Sequence, residues 1–133
     1  MNVIKNLEKK GALLTLLKPE NDGKVNPKKI EHSITDKTKL VSIMYANNEL
    51  GSINDINEIA KITKKNNITL HVDAVQCVGK IPIDLSELNI DLMSLSAHKF
   101  YGPKGVGILY KKNNISLKGL ITGRGQELSL IHN

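Results

Sequence analysis

Short apolar runs alternate with segments of helical spacing along this chain, and the alternation predicts an α/β fold. Apolar runs of strand length, bounded by turn residues or polar clusters, predict strands; they are residues 12–17, 39–45, 68–72, 90–93 and 106–110. Segments whose apolar residues share one helix face predict helices; they are residues 2–10, 27–33 and 55–65, with Asn26 and either Asn54 or Asp55 as N-caps. Strands separated by helices require crossover connections, so the sheet is predicted to be largely parallel.

Polar clusters follow three of the predicted strands at the points where those strands end. They are Asn47 with Asn48, Asp73 with Gln76, and the group Ser96, His98 and Lys99. In a parallel sheet the carboxyl ends of the strands meet at one edge, and ligands bind in the crevice outside them. We therefore expect these clusters to lie close together and to form the functional site.

Composition and charge narrow the class of protein. The 133 residues suffice for one domain with a core, and 40% hydrophobic with 24% charged residues is typical of a globular chain. The net charge of +6 comes from lysines scattered over several segments that contain few aromatic residues, so we expect no nucleic-acid binding. No apolar run approaches the roughly 18 residues of a membrane span. With one cysteine, Cys77, the chain forms no internal disulfide. We expect a cytoplasmic protein without a membrane contact.

The polar clusters contain the side chains that a pyridoxal phosphate site needs. A lysine can bind the aldehyde as a Schiff base, a carboxylate can keep the pyridine nitrogen protonated, and other polar groups can hold the phenolic oxygen and the phosphate. The chain offers Lys99, Asp73, Gln76, Ser96 and His98 for these tasks. Structural interpretations exist beside them, with Lys99 as a solvated loop lysine, Asp73 as a helix cap and His98 as a structural histidine. Spacing alone leaves both interpretations open.

Three motifs resemble those of a known family. They are Asn47-Asn48-Glu49-Leu50-Gly51, His71-Val72-Asp73-Ala74-Val75-Gln76, and the run from Ile90 to Gly105 that contains Ser96-Ala97-His98-Lys99. Together they closely resemble cysteine desulfurases of the NifS/IscS type, in the class V aminotransferase branch of fold-type I pyridoxal phosphate enzymes. The resemblance implies a three-layer large domain of the α/β class, with a mostly parallel mixed sheet between helices.

The resemblance also implies a role for each matching residue. Lys99 is similar to the lysine that forms the Schiff base with pyridoxal phosphate and shuttles protons, so it is the implied catalytic residue. Asp73 looks like the partner of the pyridinium nitrogen, and Gln76 is expected to face the phenolic oxygen. Ser96 and His98 are expected to bind the phosphate.

The implied activity is the conversion of L-cysteine to L-alanine, with the sulfur left as a persulfide on an enzyme cysteine for iron–sulfur cluster assembly. Asn48 resembles the asparagine near the ring and the substrate carboxylate. The implied partners are a sulfur acceptor or iron–sulfur scaffold protein and a second subunit of a homodimer; no metal site is expected. Two alternatives stay open: a related class V enzyme, such as a selenocysteine lyase or an aminotransferase, and a non-catalytic α/β fragment.

The chain departs from the family at its ends and at its cysteine. Residues 1–127 resemble the central part of the large domain, truncated at both ends, so we expect the chain alone to be inactive. Residues 128–133 do not match the family, and we interpret them as an artefactual tail. The family's persulfide cysteine lies far C-terminal to the Schiff-base lysine, whereas no cysteine follows Lys99. We therefore interpret Cys77 as a packing residue.

Overall fold

The computed structural model describes residues 2–117, and its elements are named here in chain order. The helices are α1 (Asn2–Lys9), α2 (Pro27–Ser33) and α3 (Ile56–Lys65). The strands are β1 (Leu40–Met44), β2 (Thr69–Asp73), β3 (Leu92–Ser96) and β4 (Gly107–Lys111), and a 3-10 helix at Ala97–Phe100 follows β3. Helices and strands therefore form where the hydrophobic pattern predicts them, with the exceptions given below.

Side-chain caps fix the residues at which α2 and α3 begin. Asn26 Oδ1 accepts a hydrogen bond from the backbone N–H of Lys28 at 3.0 Å, and Pro27 takes the first helical position. Asp55 Oδ1 accepts one from the N–H of Glu58, also at 3.0 Å. Each cap of this kind contributes about 1 kcal/mol. The caps predicted from the sequence are confirmed, and Asp55 rather than Asn54 caps α3.

The described strands form one mixed sheet in the order β1-β2-β3-β4. The strands β1, β2 and β3 are parallel to one another, and β4 is antiparallel to β3. Helix α3 lies in the crossover from β1 to β2, whereas the 3-10 helix and a turn return the chain directly to β4. The sheet is thus mostly parallel, as expected, and the carboxyl ends of its three parallel strands share one edge.

The core lies where α3 packs against one face of the sheet, and α2 adds Ile30 to it by packing against α3. Ile43, Val72 and Met93 are partners in one register row across β1, β2 and β3, and all three are buried. Ile56 and Ile59 of α3 belong to the same buried cluster. Full burial of one such side chain contributes roughly 1.5–3 kcal/mol. Because β2 is central and buried, the position of Asp73 at its end is well fixed.

The predicted strand at residues 12–17 is wrong. This segment has no strand structure, and the side chains of Leu13 and Leu16 are 83% and 72% exposed. An extended run becomes a strand only when a neighbouring strand takes up its backbone hydrogen bonds. Within residues 2–117, β1 pairs with β2 and with no strand from this segment.

The predicted strand at residues 90–93 is real but begins later and continues further. The Asp91 carboxylate accepts a hydrogen bond from the backbone N–H of Leu70 at 2.9 Å, and the Asp91 N–H donates to Leu70 O at 3.1 Å. The carboxylate therefore takes the place of a backbone partner at this point, and the regular ladder begins at Leu92. The strand then runs to Ser96, which places Ser94 and Ser96 on β3 rather than in a loop.

Two expectations fall partly or wholly outside the described residues. Residues 128–133, interpreted above as a tail, lie there, as does the end of the family-like region from residue 118 to 127.

Among residues 2–117, no helix has the length and apolar character to cross a membrane.

Candidate active site

Asp73 is the last residue of β2 and lies at the carboxyl edge of the sheet. Its backbone C=O accepts a hydrogen bond from Tyr45 N–H at 2.8 Å, and the N–H of the next residue, Ala74, donates to Ser94 O at 3.0 Å. The side chain is half-buried, and its Oδ1 accepts a hydrogen bond from Val75 N–H at 3.1 Å. Within residues 2–117 the second carboxylate oxygen, Oδ2, accepts no hydrogen bond.

Ser96, His98 and Lys99 follow one another where β3 ends and the 3-10 helix begins. Ser96 Oγ and His98 Nδ1 lie 2.9 Å apart and share a hydrogen bond. The imidazole is exposed, whereas Ser96 and Lys99 are half-buried. Because β2 and β3 are parallel neighbours, these residues leave the sheet at the same edge as Asp73.

A tight turn sets the direction in which Lys99 leaves the sheet. Ala97 N–H donates to Val106 O at 3.0 Å, and Gly102 N–H donates back to Ala97 O at 2.9 Å. A Cβ at position 102 would lie 2.9 Å from the Cβ of Ala97, so only glycine fits here. Tyr101 adopts φ +66°, which costs a non-glycine residue energy, and its side chain is fully exposed. The turn is thus held by backbone bonds on both sides of Lys99.

Asn48 and Gln76 lie on loops beside this edge, without hydrogen bonds to the other candidate residues. Asn48 is exposed in the loop that follows β1, and Gln76 is half-buried in the turn that follows β2. Within residues 2–117 neither side chain hydrogen-bonds to Asp73, Ser96 or Lys99. The sheet therefore brings the six candidates to one edge, and the one hydrogen bond among their side chains joins Ser96 and His98.

A serine–histidine–serine ladder lies behind the edge, and the sequence reasoning missed it. His71 Nδ1 is 2.8 Å from Ser42 Oγ, and His71 Nε2 is 2.8 Å from Ser94 Oγ. The ladder joins β1, β2 and β3 on the sheet face that also carries Asp73, two residues after His71. Burial lowers the pKa of His71, and the nearby charge of Asp73 partly opposes this. The sequence held one indication of this arrangement: His71 and Asp73 are two residues apart on one strand, so their side chains lie on the same face of the sheet.

Cys77 is fully buried in the core, as the sequence interpretation expects. Burial raises the pKa of its thiol, and a backbone hydrogen bond at Ala46 partly opposes that rise. A buried, protonated thiol is a poor nucleophile. Cys77 is therefore a packing residue rather than part of the site's chemistry.

Two clefts in the described part of the chain lie away from the candidate residues. One, of about 310 Å³, opens at the amino ends of β2 and β3, where Asp91 and Lys112 form an ion pair at 3.6 Å. The other, of about 400 Å³, lies between α2 and α3. No candidate residue lines either cleft.

The groups at this edge suit pyridoxal phosphate by their chemistry. Asp73 Oδ2, which accepts no hydrogen bond from the described residues, could pair with a protonated ring nitrogen. The Ser96–His98 pair supplies a hydroxyl and an imidazole for a phosphate, and Lys99 supplies a primary amine beside them. Within residues 2–117 no cluster of three or more His, Cys, Asp or Glu side chains could hold a metal ion.

Comparison with protein families decides the assignment. The aminotransferase class-V model matches residues 1–124, which is nearly the whole chain. The chain belongs to the class V aminotransferase family. This family assignment agrees with the fold and with the resemblance seen in the three sequence motifs.

Among class V aminotransferases, curated relatives share about half of their residues with this chain over the matched region. A protein of Clostridium botulinum named cysteine desulfurase IscS is 53% identical over 121 residues, which are 91% of this chain and 30% of the relative. One of the same name from Plasmodium falciparum is 50% identical over 127 residues, which are 93% of this chain and 23% of the relative. The chain thus spans about a third or less of these relatives.

Solved structures of similar proteins confirm the fold. A protein described as SspA in complex with cysteine has a TM-score of 0.92 and 41% identity, over 97% of this chain and 38% of that one. A NifS-like protein has a TM-score of 0.90 and 44% identity, over 95% of this chain and 35% of that one. The α/β architecture described above is therefore that of part of a NifS-like class V fold.

Proposed function

We propose that this chain carries the central part of the pyridoxal phosphate site of a cysteine desulfurase. The observation that supports this most directly is the set of groups at one sheet edge: the Asp73 carboxylate, the hydrogen-bonded Ser96–His98 pair and the Lys99 amine. The relatives named cysteine desulfurase IscS, at 53% and 50% identity, favour this class over other class V enzymes.

Each candidate residue would have one task toward the cofactor. Asp73 Oδ2 would hold the protonated pyridine nitrogen, while the Val75 N–H orients the carboxylate through Oδ1. Ser96 and His98 would donate hydrogen bonds to the phosphate. Lys99 would be the covalent attachment point and would also carry a proton at Nζ. Gln76 would bind the phenolic oxygen, and Asn48 would bind near the ring and the substrate carboxylate.

When bound, pyridoxal phosphate supplies an electron sink that weakens bonds at the substrate's α-carbon. The overall change breaks the carbon–sulfur bond of L-cysteine and places a proton on the former sulfur-bearing carbon, which gives L-alanine. The sulfur forms a sulfur–sulfur bond with a cysteine thiolate of the enzyme, which becomes a persulfide. The proposal of L-cysteine as substrate is supported by the relatives' names and by the SspA structure solved with cysteine.

This chain lacks an accessible thiol for the sulfur. Cys77 is the one cysteine in the sequence, and it is fully buried with a raised pKa. We therefore expect the 133-residue chain, given pyridoxal phosphate and cysteine, to release no alanine above a Lys99→Ala control. Alanine release that depends on Lys99 would contradict this expectation.

A chimera tests the proposed function. The matched segment of the C. botulinum relative would be replaced by the corresponding residues of this chain, and alanine release from cysteine would be measured. We expect release that Lys99→Ala abolishes and that Lys104→Ala, which changes an exposed lysine of the following loop, leaves unchanged. A folded, cofactor-loaded chimera that releases no alanine would contradict the proposal.

A sulfur acceptor or iron–sulfur scaffold protein, homodimer formation and a cytoplasmic location complete the proposal. They rest on the resemblance to NifS/IscS-type enzymes alone. Each stays a prediction about the protein that carries this sequence.

A further inference from the structure

We propose that Asn54 is a positioning residue that holds the loop carrying Asn48 over the carboxyl edge of the sheet. The loop, residues 46–53, connects the end of β1 to the segment before α3. The hydrogen bonds of Asn54 fix this loop. An effect of Asn54 on the cofactor rests on the proposed function, in which Asn48 lies beside the ring.

The Asn54 side chain joins two segments that are far apart in sequence. Its Nδ2 donates to Met44 O, the last carbonyl of β1, at 2.8 Å. Its Oδ1 accepts from Val25 N–H at 2.8 Å. Its own backbone N–H donates to Tyr45 O at 2.9 Å. The residue is 7% exposed, so these bonds are made largely out of water, where an unpaired polar group is costly.

Ser52 makes a second contact between this loop and the turn at Gly23, two residues before Val25. Ser52 Oγ donates to Gly23 O at 3.0 Å, and Ser52 is 9% exposed. Gly23 has φ +78°, and a Cβ there would lie 2.7 Å from a Leu50 side-chain carbon and 2.9 Å from Ser52 Oγ. The Gly23 turn therefore packs directly on the loop. The bonds from Asn54 and Ser52 hold the turn, the loop and the end of β1 together.

The loop itself is closed by Asn47, which leaves Asn48 at its tip. Asn47 Oδ1 accepts from Glu49 N–H at 2.8 Å and from Leu50 N–H at 3.0 Å. Asn47 N–H donates to Ser52 O at 2.9 Å, and an isolated bridge pairs Ala46 with Ile53. A rigid loop fastened at its base by Asn54 fixes the backbone of Asn48 and leaves its exposed side chain available to a ligand.

Hydrogen exchange tests the positioning step without any cofactor. Asn54→Ala leaves Val25 N–H and Met44 O unpaired, so the amides of Glu49 and Leu50 should exchange at least about tenfold faster than in the unchanged chain. The matched control is Asn66→Ala. Asn66 Nδ2 also donates to a backbone carbonyl, Ile62 O at 2.8 Å, but at the far end of α3. Equal protection of the loop amides in the Asn54 and Asn66 variants would overturn the proposal.

A double-mutant cycle with pyridoxal phosphate tests the second step. Asn54→Ala should weaken binding about three- to tenfold when Asn48 is present and should have no further effect in an Asn48→Ala background. Additive losses would show that Asn54 acts on general stability, and would overturn its action through Asn48. If the unchanged chain binds no pyridoxal phosphate, the proposed function fails, and the hydrogen-exchange result alone decides whether Asn54 holds the loop.

Discussion

At the scale of single residues, Asp73 is held in place through both its backbone and its side chain. The central strand β2 fixes its backbone, and the Val75 N–H orients its carboxylate through Oδ1. The motif around Asp73 identified the residue, and its position after an apolar run predicted the sheet edge. Which carboxylate oxygen stays free could not be read from the sequence, because it depends on the turn that Val75 begins.

We expect Asp73→Asn to weaken pyridoxal phosphate binding roughly 10- to 100-fold, since a hydrogen bond to a charged group contributes about 1.5–3 kcal/mol. The fold should persist, because the amide oxygen can still accept from Val75 N–H. The matched control is Asp84→Asn, since Asp84 accepts from the N–H of Ser86, two residues on, at 2.8 Å but is exposed in another turn. Equal affinities in both variants, measured by titration of the visible absorption band, would show that Asp73 does not hold the cofactor.

The elements were predicted well where local chemistry decides them. Asn26 and Pro27 identified the start of α2, and Asp55 that of α3. The predictions were wrong where the backbone of a distant segment decides whether a strand forms. Residues 12–17 have no strand to pair with in the described part of the chain. The strand β3 begins later than predicted because the Asp91 carboxylate accepts the hydrogen bond of Leu70 N–H on β2. The partners of Asn54 and His71 also lie on other segments, so no local pattern could give them.

The serine–histidine–serine ladder of Ser42, His71 and Ser94 makes the free energy of unfolding depend on pH, because His71 is a titratable group. Burial puts the folded-state pKa of His71 below its ordinary value of 6.5, so the unfolded chain takes up this proton first as the pH falls. Stability should therefore decline as the pH falls through about 6.5 towards the folded-state pKa, by at most about 1.4 kcal/mol per pH unit.

Urea unfolding of the unchanged chain and of His71→Gln between pH 7.5 and 5.5 measures this contribution. The substitution should flatten the decline, because glutamine can hydrogen-bond to Ser42 or Ser94 but does not titrate in this range. Identical slopes in the two proteins would show that His71 is not held neutral by its surroundings.

At the scale of the whole molecule, stability is concentrated on one face of the sheet. Ile59 and Val72 are fully buried between α3 and that face. Before α2, the side chains of Val3, Leu13 and Leu16 contribute little because they are exposed by 72% or more, whereas Leu17 and Val25 pack partly against the core. The composition predicted a chain that can form a core, but the sequence did not show how unequally its apolar residues are used.

We therefore expect Ile59→Ala to lower the free energy of unfolding by about 2–5 kcal/mol, since it leaves a cavity in the core. Leu16→Ala should change it by no more than about 0.5 kcal/mol, because that side chain already meets solvent. Chemical denaturation of both variants measures the difference. A comparable loss from Leu16→Ala would mean that the segment at residues 12–17 packs in solution.

The central claim is that Lys99 is the residue that binds pyridoxal phosphate, and peptide mapping after borohydride reduction tests it most directly. The purified chain would be incubated with pyridoxal phosphate, reduced and digested, with Lys99→Ala as the control. The account predicts a visible absorption band before reduction, one principal adduct on Lys99, and its loss in the control. A colourless chain, or label spread over exposed lysines such as Lys104 with Lys99 unmodified, would contradict it.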